Sequence, residues 1–440
     1  MQLSVHIQRD LAGSFRLLKA PAAAAGTHAI DAAISERVSE MLLTIEAGGM
    51  DAVLRYAREL DGWERSDVEL TGQAIRSSGD TLSPELRKAL ELGAERTQAF
   101  AREQRAHLVD FEVELVPGLV TGLRYIPVNR VGAYLPAGRF PLVSSAFMTV
   151  GVAKVAGVPT VLACTPPRAD GTPDPAVMYA AHLSGVDRAY ALGGVQALAA
   201  MAFGLLGEDP IDMLVGAGNA YIAEAKRQLF GRVAIDLLAG PSEVAVIADE
   251  SADVELVAAD LLGQAEHGPE SPAALVTTSE ALGNAVIAEV TRQLETLKTR
   301  DIAGPAWHDY GSVTWAADAD TAIQLMDDLA PEHLEVITAE DDYYYQRLKN
   351  YGSVFLGPWS TVAYSDKGMA GTNHVLPTRG GARHSAGLSV SRFLKPLTFQ
   401  RLSKAATPDV ANAVDVISDY EGMAAHRATA ILRLDRLTRR

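Results

Sequence analysis

Residues able to move protons or bind a cation gather at four places in the chain. His333 follows Glu332 directly in 331-PEHLEV-336, at the mouth of a β-rich run, where an adjacent acid and base can transfer a proton and activate water. Gln264 and His267, in 264-QAEH-267, close a helix-patterned run, and a spacing of three on a helix lets both reach one ion. His374 lies in 371-GTNHVLPT-378, a loop punctuated by Gly, Asn and Pro, with Asp366 eight residues earlier. His426 lies near the C-terminus, five residues after Glu421. Taken singly, each reads as a solvated or structural residue. Together they offer amide, imidazole and carboxylate donors from distant segments. A catalytic metal site needs such a set when Cys164 is the only cysteine and a thiolate cage is excluded. His6, His28, His107, His182 and His308 stand alone in helical or loop contexts and read as structural or surface residues.

A phosphate-binding turn is less marked. The segment 216-GAGNAY-221 follows an apolar run and has the first two glycines of a dinucleotide fingerprint, but Tyr221 stands where the third belongs. As a strand-to-helix turn it can still present backbone N–H groups to a phosphate. No P-loop, GxSxG or HExxH motif is present, which disfavours kinase, serine hydrolase and zincin chemistry.

The elements that must carry these residues follow from periodicity. Residues 29–108 read as helical: Ile30, Ile34, Val38, Met41 and Ile45 recur at three- and four-residue spacing, and Ser83-Pro84-Glu85 is a helix start. From about residue 126, short β-rich runs alternate with helices: VGAYL, TVLAC, RAYAL and DMLV, then VAVIA, ALVTT, SVTW, HLEVI and SVFL. Such alternation predicts βαβ units and parallel sheets. The expected α/β organisation is a helical N-terminal region over 1–125, Rossmann-like units over 126–236 and 237–383, and a basic, helical C-terminal tail over 384–440. The run 20-APAAAAG-26 reads as a small-residue loop or frayed helix.

The 440 residues carry 39 Lys and Arg against 55 Asp and Glu, and the resulting charge of −16 argues against nucleic acid as a partner. An anionic substrate remains possible, since a few local cations suffice to hold one. With charges in MQLSVHIQRD and no apolar run of about 18 residues, the expectation is a soluble cytoplasmic protein without a signal peptide or membrane span.

Seven ordered blocks resemble the histidinol dehydrogenase family: VGAYLPAGRFPL (131–142), LGGVQALAAMAFG (192–204), GAGNAYIAEAKRQLFGRVAIDLLAGPSEV (216–244), QAEHGPES (264–271), APEHLEV (330–336), GTNHVLPT (371–378) and EGMAAH (421–426). The resemblance runs from about residue 30 to the C-terminus. It implies a homodimeric, zinc-containing, NAD-dependent enzyme that oxidises an alcohol through a bound aldehyde to a carboxylate, with L-histidinol to L-histidine as the reference reaction. It further implies Gln264, His267, Asp366 and His426 as zinc ligands, the last supplied by the partner subunit's swapped tail. His333 would be the general base and Glu332 the group that activates water. Ser242, His374 and Glu421 would contact substrate beside the zinc ligands and His333, and Tyr134, Gln196 and Asn219 would contact the dinucleotide.

Two features depart from the family's usual pattern. Ala217 replaces the proline of a GPGN turn, and the approach to GTNH is 364-YSDKGMAGTNH-374, one residue longer and with Lys367 after the expected ligand. The latter, with GRFPLVSSAFM and EAKRQLFGRVAIDLLAG, is more similar to the paralogous branch that includes sulfopropanediol dehydrogenases. APEHLEV and GLSVSRFLK are more similar to the histidinol enzymes. The substrate alternatives are therefore histidinol and a small anionic polyol such as 2,3-dihydroxypropane-1-sulfonate. A non-catalytic small-molecule binding protein is a third alternative, and the intact Glu332–His333 pair counts against it.

Overall fold

The computed structural model describes residues 3–23, 32–64, 67–138, 140–207 and 209–438. In chain order its strands are β1 (Phe15–Lys19), β2 (Glu69–Leu70), β3 (Phe111–Val116), β4 (Leu119–Pro127), β5 (Arg130–Tyr134), β6 (Thr160–Thr165), β7 (Arg188–Ala191), β8 (Met213–Val215), β9 (Ala234–Ile235), β10 (Val244–Ala248), β11 (Ala273–Thr277), β12 (Ser312–Ala316), β13 (His333–Ile337), β14 (Ser353–Leu356) and β15 (Leu394–Leu402). Among the described residues they form three sheets, ordered β2-β7-β6-β5-β8-β9, β1-β12-β11-β10-β13-β14 and β15-β4-β3.

The first two sheets are the expected Rossmann-like units. Their inner strands are parallel and largely buried, because helices cover both faces. Every residue of β10 and β11 is buried. In the first sheet the chain builds outward from β5 through β6 to β7, then returns to place β8 on the other side of β5. In the second it builds from β10 through β11 to β12 and returns to place β13 beside β10. Each sheet therefore has a switch point, the place where open α/β sheets leave a crevice beyond the carboxyl ends of their strands.

The N-terminal region is not helical alone. Helices occupy Ala32–Asp61, Gly72–Ser77 and Pro84–Ala106, and Gly49, at φ 59°, breaks the first into two. The first packs on the helices Gly194–Ala202 and Ala220–Leu229 through Val38, Met41, Ile45, Val53 and Tyr56. Around these helices, β1 adds antiparallel to the edge of the second sheet, β2 adds to the first, and β3 and β4 pair with each other. These strands are missing from the sequence reading because they are short edges like β1 and β2, exposed along their whole length like β3, or half-buried on both faces like β4, so no alternating burial pattern marks them. The C-terminal segment likewise contains a strand: β15 pairs with β4 over nine residues before the helices Thr407–Tyr420 and Ala424–Thr438. Pro396 is tolerated there because β15 is an edge. Ile30, His28 and the end of the 20–26 run lie outside the described residues. No helix among the described residues is long and apolar enough to cross a membrane.

Candidate active site

Parallel pairing of β10 with β13 sets Val244 opposite His333. The residues just before these two strands are thereby neighbours at the amino edge of the second sheet. Glu332 and His333 are both buried, at 4% and 1% exposure. One Glu332 carboxylate oxygen accepts hydrogen bonds from the Ser242 hydroxyl (2.7 Å) and the Glu243 backbone N–H (2.8 Å). The Glu243 carbonyl accepts from His333 Nδ1 at 3.0 Å. A carbonyl can only accept, so Nδ1 carries the ring proton and Nε2 presents a lone pair. That Nε2 is buried without a hydrogen-bond partner and lies 3.8 Å from Asp366 Oδ1. Burial depresses the His333 pKa below its ordinary 6.5, partly opposed by Asp366, and so favours the neutral ring. Burial also raises Glu332 well above the ordinary carboxylate range, against the hydrogen bonds from Ser242 and Glu243. The pair thus comprises a neutral base with a bare nitrogen and a carboxyl group pushed by burial towards its protonated form.

Potential metal donors meet the same spot. His267 Nε2 is 3.6 Å from Asp366 Oδ2, too far for a hydrogen bond. Two ligands of one tetrahedral ion, each at roughly 2.0–2.2 Å, stand about 3.3–3.6 Å apart. Gln264, 2% exposed, has neither amide atom paired, and Asp366 Oδ1 is also buried without a partner. An unpaired buried polar group costs about 1–3 kcal/mol, so a cation that satisfies several of them is favoured here. Among the described residues no three His, Cys, Asp or Glu side chains form a complete metal cluster. The donors present therefore fit a divalent cation with part of its shell supplied from elsewhere. Beneath them, Glu335 accepts the Val362 N–H (3.0 Å) and Asp260 accepts the Thr361 hydroxyl (2.8 Å). These contacts fasten β13 and the Gln264 helix to the short helix Val362–Asp366.

His374 closes the cluster: its Nε2 lies 3.3 Å from the Ser145 hydroxyl, and Ser144 donates to the Asp366 carbonyl. Burial lowers the His374 pKa, and the nearby Lys367 ammonium adds to the effect. The non-glycine residues with positive φ among those described, Ala330 (49°) and Arg379 (54°), flank this region. Left-handed backbone is uncommon for such residues and tends to occur at functional sites. Arg379 is held there by its N–H to Glu243 (3.1 Å), and its side chain lies against Gly240, where a Cβ would come within 2.5 Å of it.

A second crevice lies at the carboxyl edge of the first sheet, at its switch point between β5 and β8. Tyr134 ends β5, is buried, and has its phenol pushed up to about 12 by desolvation. Its hydroxyl accepts from the Gly194 N–H at 3.3 Å. Gln196 donates to Asp61 (2.8 Å) and leaves its carbonyl oxygen unpaired. Asn219 caps the helix Ala220–Leu229, accepting from the N–H groups of Tyr221 and Ile222.

Known proteins match this arrangement closely. The family model for histidinol dehydrogenase covers residues 26–434. The chain belongs to the histidinol dehydrogenase family. It is accordingly an oxidoreductase acting on CH–OH groups. A histidinol dehydrogenase homolog from Shouchella clausii is 45% identical over 92% of this chain and 95% of its own. A sulfopropanediol 3-dehydrogenase from Ruegeria pomeroyi is 44% identical over 91% and 92%. The crystal structure of histidinol dehydrogenase from Elizabethkingia anophelis superposes with a TM-score of 0.88 at 31% identity, covering 99% of this chain and 97% of that one.

In this family member the expected residues fall into three groups. Glu332, His333, Ser242, His267, Asp366 and His374 converge, with Gln264 one turn before His267. Tyr134, Gln196 and Asn219 lie at or just beyond the carboxyl edge of the first sheet. His426 is exposed on the last helix and Glu421 is exposed in the turn between the two terminal helices, which pack on each other. Two residues escape sequence reasoning. Glu243 holds both Glu332 and His333 through its backbone, and Asp61 holds Gln196 and the Gly193 N–H. Strand register could have pointed to Glu243; nothing in the spacing pointed to Asp61.

Proposed function

We propose that this enzyme oxidises a primary alcohol through a retained aldehyde to a carboxylate, passing two hydrides to NAD, in the cytoplasm. Zinc would be held by Gln264, His267, Asp366 and His426 of the partner subunit in a homodimer. The bare, buried Nε2 of His333 carries this reading. Bound zinc would orient and polarise the substrate oxygen. His333 Nε2 takes the hydroxyl proton as hydride leaves the substrate carbon for the nicotinamide. Glu332, steadied by Ser242, then accepts a proton from the water that adds to the aldehyde, and the hydrate gives up the second hydride. Burial of the cluster keeps the reactive aldehyde from escaping. Tyr134, Gln196 and Asn219 would contact the dinucleotide, while Glu421 of the partner subunit and His374 would contact the substrate. The test is stoichiometric: NADH is followed with L-histidinol and with 2,3-dihydroxypropane-1-sulfonate. Two NADH per alcohol consumed is the expected result, and a single NADH with free aldehyde overturns the reading.

A second substrate reading is favoured by charge. Lys367 follows Asp366 and acts on His374, and Arg379 borders Glu243, so two cations flank the site. Such cations attract a sulfonate or carboxylate and repel the ammonium group of histidinol. With an anionic polyol, Lys367→Ala is expected to raise KM by about tenfold at nearly unchanged kcat, the mark of lost uniform binding. Efficient histidinol turnover that ignores Lys367→Ala would leave histidinol as the substrate.

A further inference from the structure

The turn 216–219 at the switch point of the first sheet is gripped from below by an ion pair. Lys226 and Asp236 pair at 4% and 0% side-chain exposure. The Lys226 ammonium donates to the Gly216 carbonyl at 2.9 Å, and Asp236 Oδ2 accepts the Gly216 N–H at 2.7 Å. Both polar groups of one residue are thus held by the two ends of one buried salt bridge. Gly216 has φ +118°, and a Cβ on it would meet the Tyr134 carbonyl at 2.3 Å. The turn therefore packs directly on the strand end that presents Tyr134.

The same pair reaches towards the reactive cluster. Asp236 follows β9, and its Oδ1 accepts the Leu237 N–H at 2.6 Å. Leu237 begins the stretch 237-LLAGPSE-243, which ends in Ser242 and Glu243, the residues that hold Glu332. Lys226 lies on the helix that Asn219 caps. One ion pair consequently joins the crevice turn, the helix behind it and the segment that ends in the residues holding Glu332. Burying two charges is costly, and hydrophobic replacements of similar volume are often as stable. A purely structural role therefore gives no reason for charge at these positions. Fixing a residue whose N–H and carbonyl must both be oriented does give one.

We propose that Lys226 and Asp236 are positioning residues that lock the two peptide groups flanking Gly216 so that the 216–219 turn is preorganised for the pyrophosphate of a dinucleotide. The inference rests on the reading of the β5–β8 crevice as the dinucleotide site. Neither side chain touches the ligand. Their effect runs through the turn, which without them must be ordered at the moment of binding.

The test replaces the pair with apolar residues, Lys226→Met together with Asp236→Leu, in the full-length enzyme. NAD affinity is read by calorimetry, alongside thermal unfolding, metal content and KM for the alcohol. The expected result is NAD affinity lower by on the order of tenfold, with metal content and alcohol KM retained and a melting temperature close to that of the wild type. A folded double variant that binds NAD like the wild type overturns the proposal. If the double variant does not fold, Lys226→Arg decides. It keeps a charge opposite Asp236 but replaces the single-point ammonium under the Gly216 carbonyl, so unchanged NAD affinity again overturns the proposal and weakened affinity supports it. Asn219→Ala separates the underlying reading. If the wild type binds NAD but neither Asn219→Ala nor Tyr134→Phe weakens it, the crevice assignment has failed and this inference with it. If those two weaken binding and the ion-pair variants do not, only the positioning role has failed.

Discussion

His333→Asn is expected to slow alcohol oxidation by roughly 10²–10⁴-fold, the usual contribution of a positioned general base. Asparagine can still reach the Glu243 carbonyl through its amide but presents no basic nitrogen towards Asp366, so the fold and the metal content should survive. Glu332→Gln should act on the other half of the reaction, slowing oxidation of supplied aldehyde far more than the first hydride transfer. The pH profiles carry the sign. The competent His333 is neutral, and burial lowers its pKa, so the alcohol step should lose activity only as the pH falls below the ordinary histidine value of 6.5. Glu332 must be ionised to accept a proton from water, and burial raises its pKa. The aldehyde step should therefore gain as the pH rises through a value well above the ordinary carboxylate range, and Glu332→Gln should erase that rise. Single-turnover NADH formation from each substrate measures both steps. Equal and negligible losses in the two variants would remove the pair from the mechanism.

His267→Ala is expected to strip the bound metal and, with it, nearly all activity. Changes to groups that merely support ligands cost about 10–100-fold in metal affinity, and loss of a ligand should exceed that. Elemental analysis of the purified variant checks it, and full zinc occupancy would refute the ligand assignment. The exposed position of His426 makes a sharper test possible. His426→Ala should also lose metal, yet mixing it with His267→Ala subunits should restore activity, because one site of each mixed dimer then combines an intact His267 with an intact His426. Random reassortment in a two-fold dimer would recover about a quarter of the wild-type sites. No recovery, with mixed dimers shown to form, would place both ligands on one chain.

Much of the architecture is legible in local patterns. The runs VAVIA, HLEVI and SVFL coincide with β10, β13 and β14, because short β-branched and apolar runs separated by 3.6-period segments mark the strands of a sheet covered by helices, and β10 at its centre is apolar at every position. The strands β1, β3, β4 and β15 carry no such mark. They are edges or an exposed hairpin, whose side chains are chosen by partners far away in the sequence rather than by a buried face.

The reactive residues divide along the same line. Residue chemistry and spacing marked Glu332–His333, Gln264–His267, Asp366, His374, His426 and Glu421 as candidates, and the resemblance of the surrounding blocks to a family raised them above solvated or structural residues. What they do there was decided by tertiary structure. Parallel register between β10 and β13 put the Glu243 backbone beside Glu332 and His333, which set the histidine tautomer and left Nε2 bare. Burial then moved the two pKa values in opposite directions, each towards the neutral form. Packing of Lys226 and Asp236 under Gly216 is likewise invisible in spacing, because an ion pair across ten residues becomes informative only when both charges turn out to be buried against one residue's backbone. Hydrogen-bond direction and desolvation depend on what surrounds a group in three dimensions, and no local pattern encodes that.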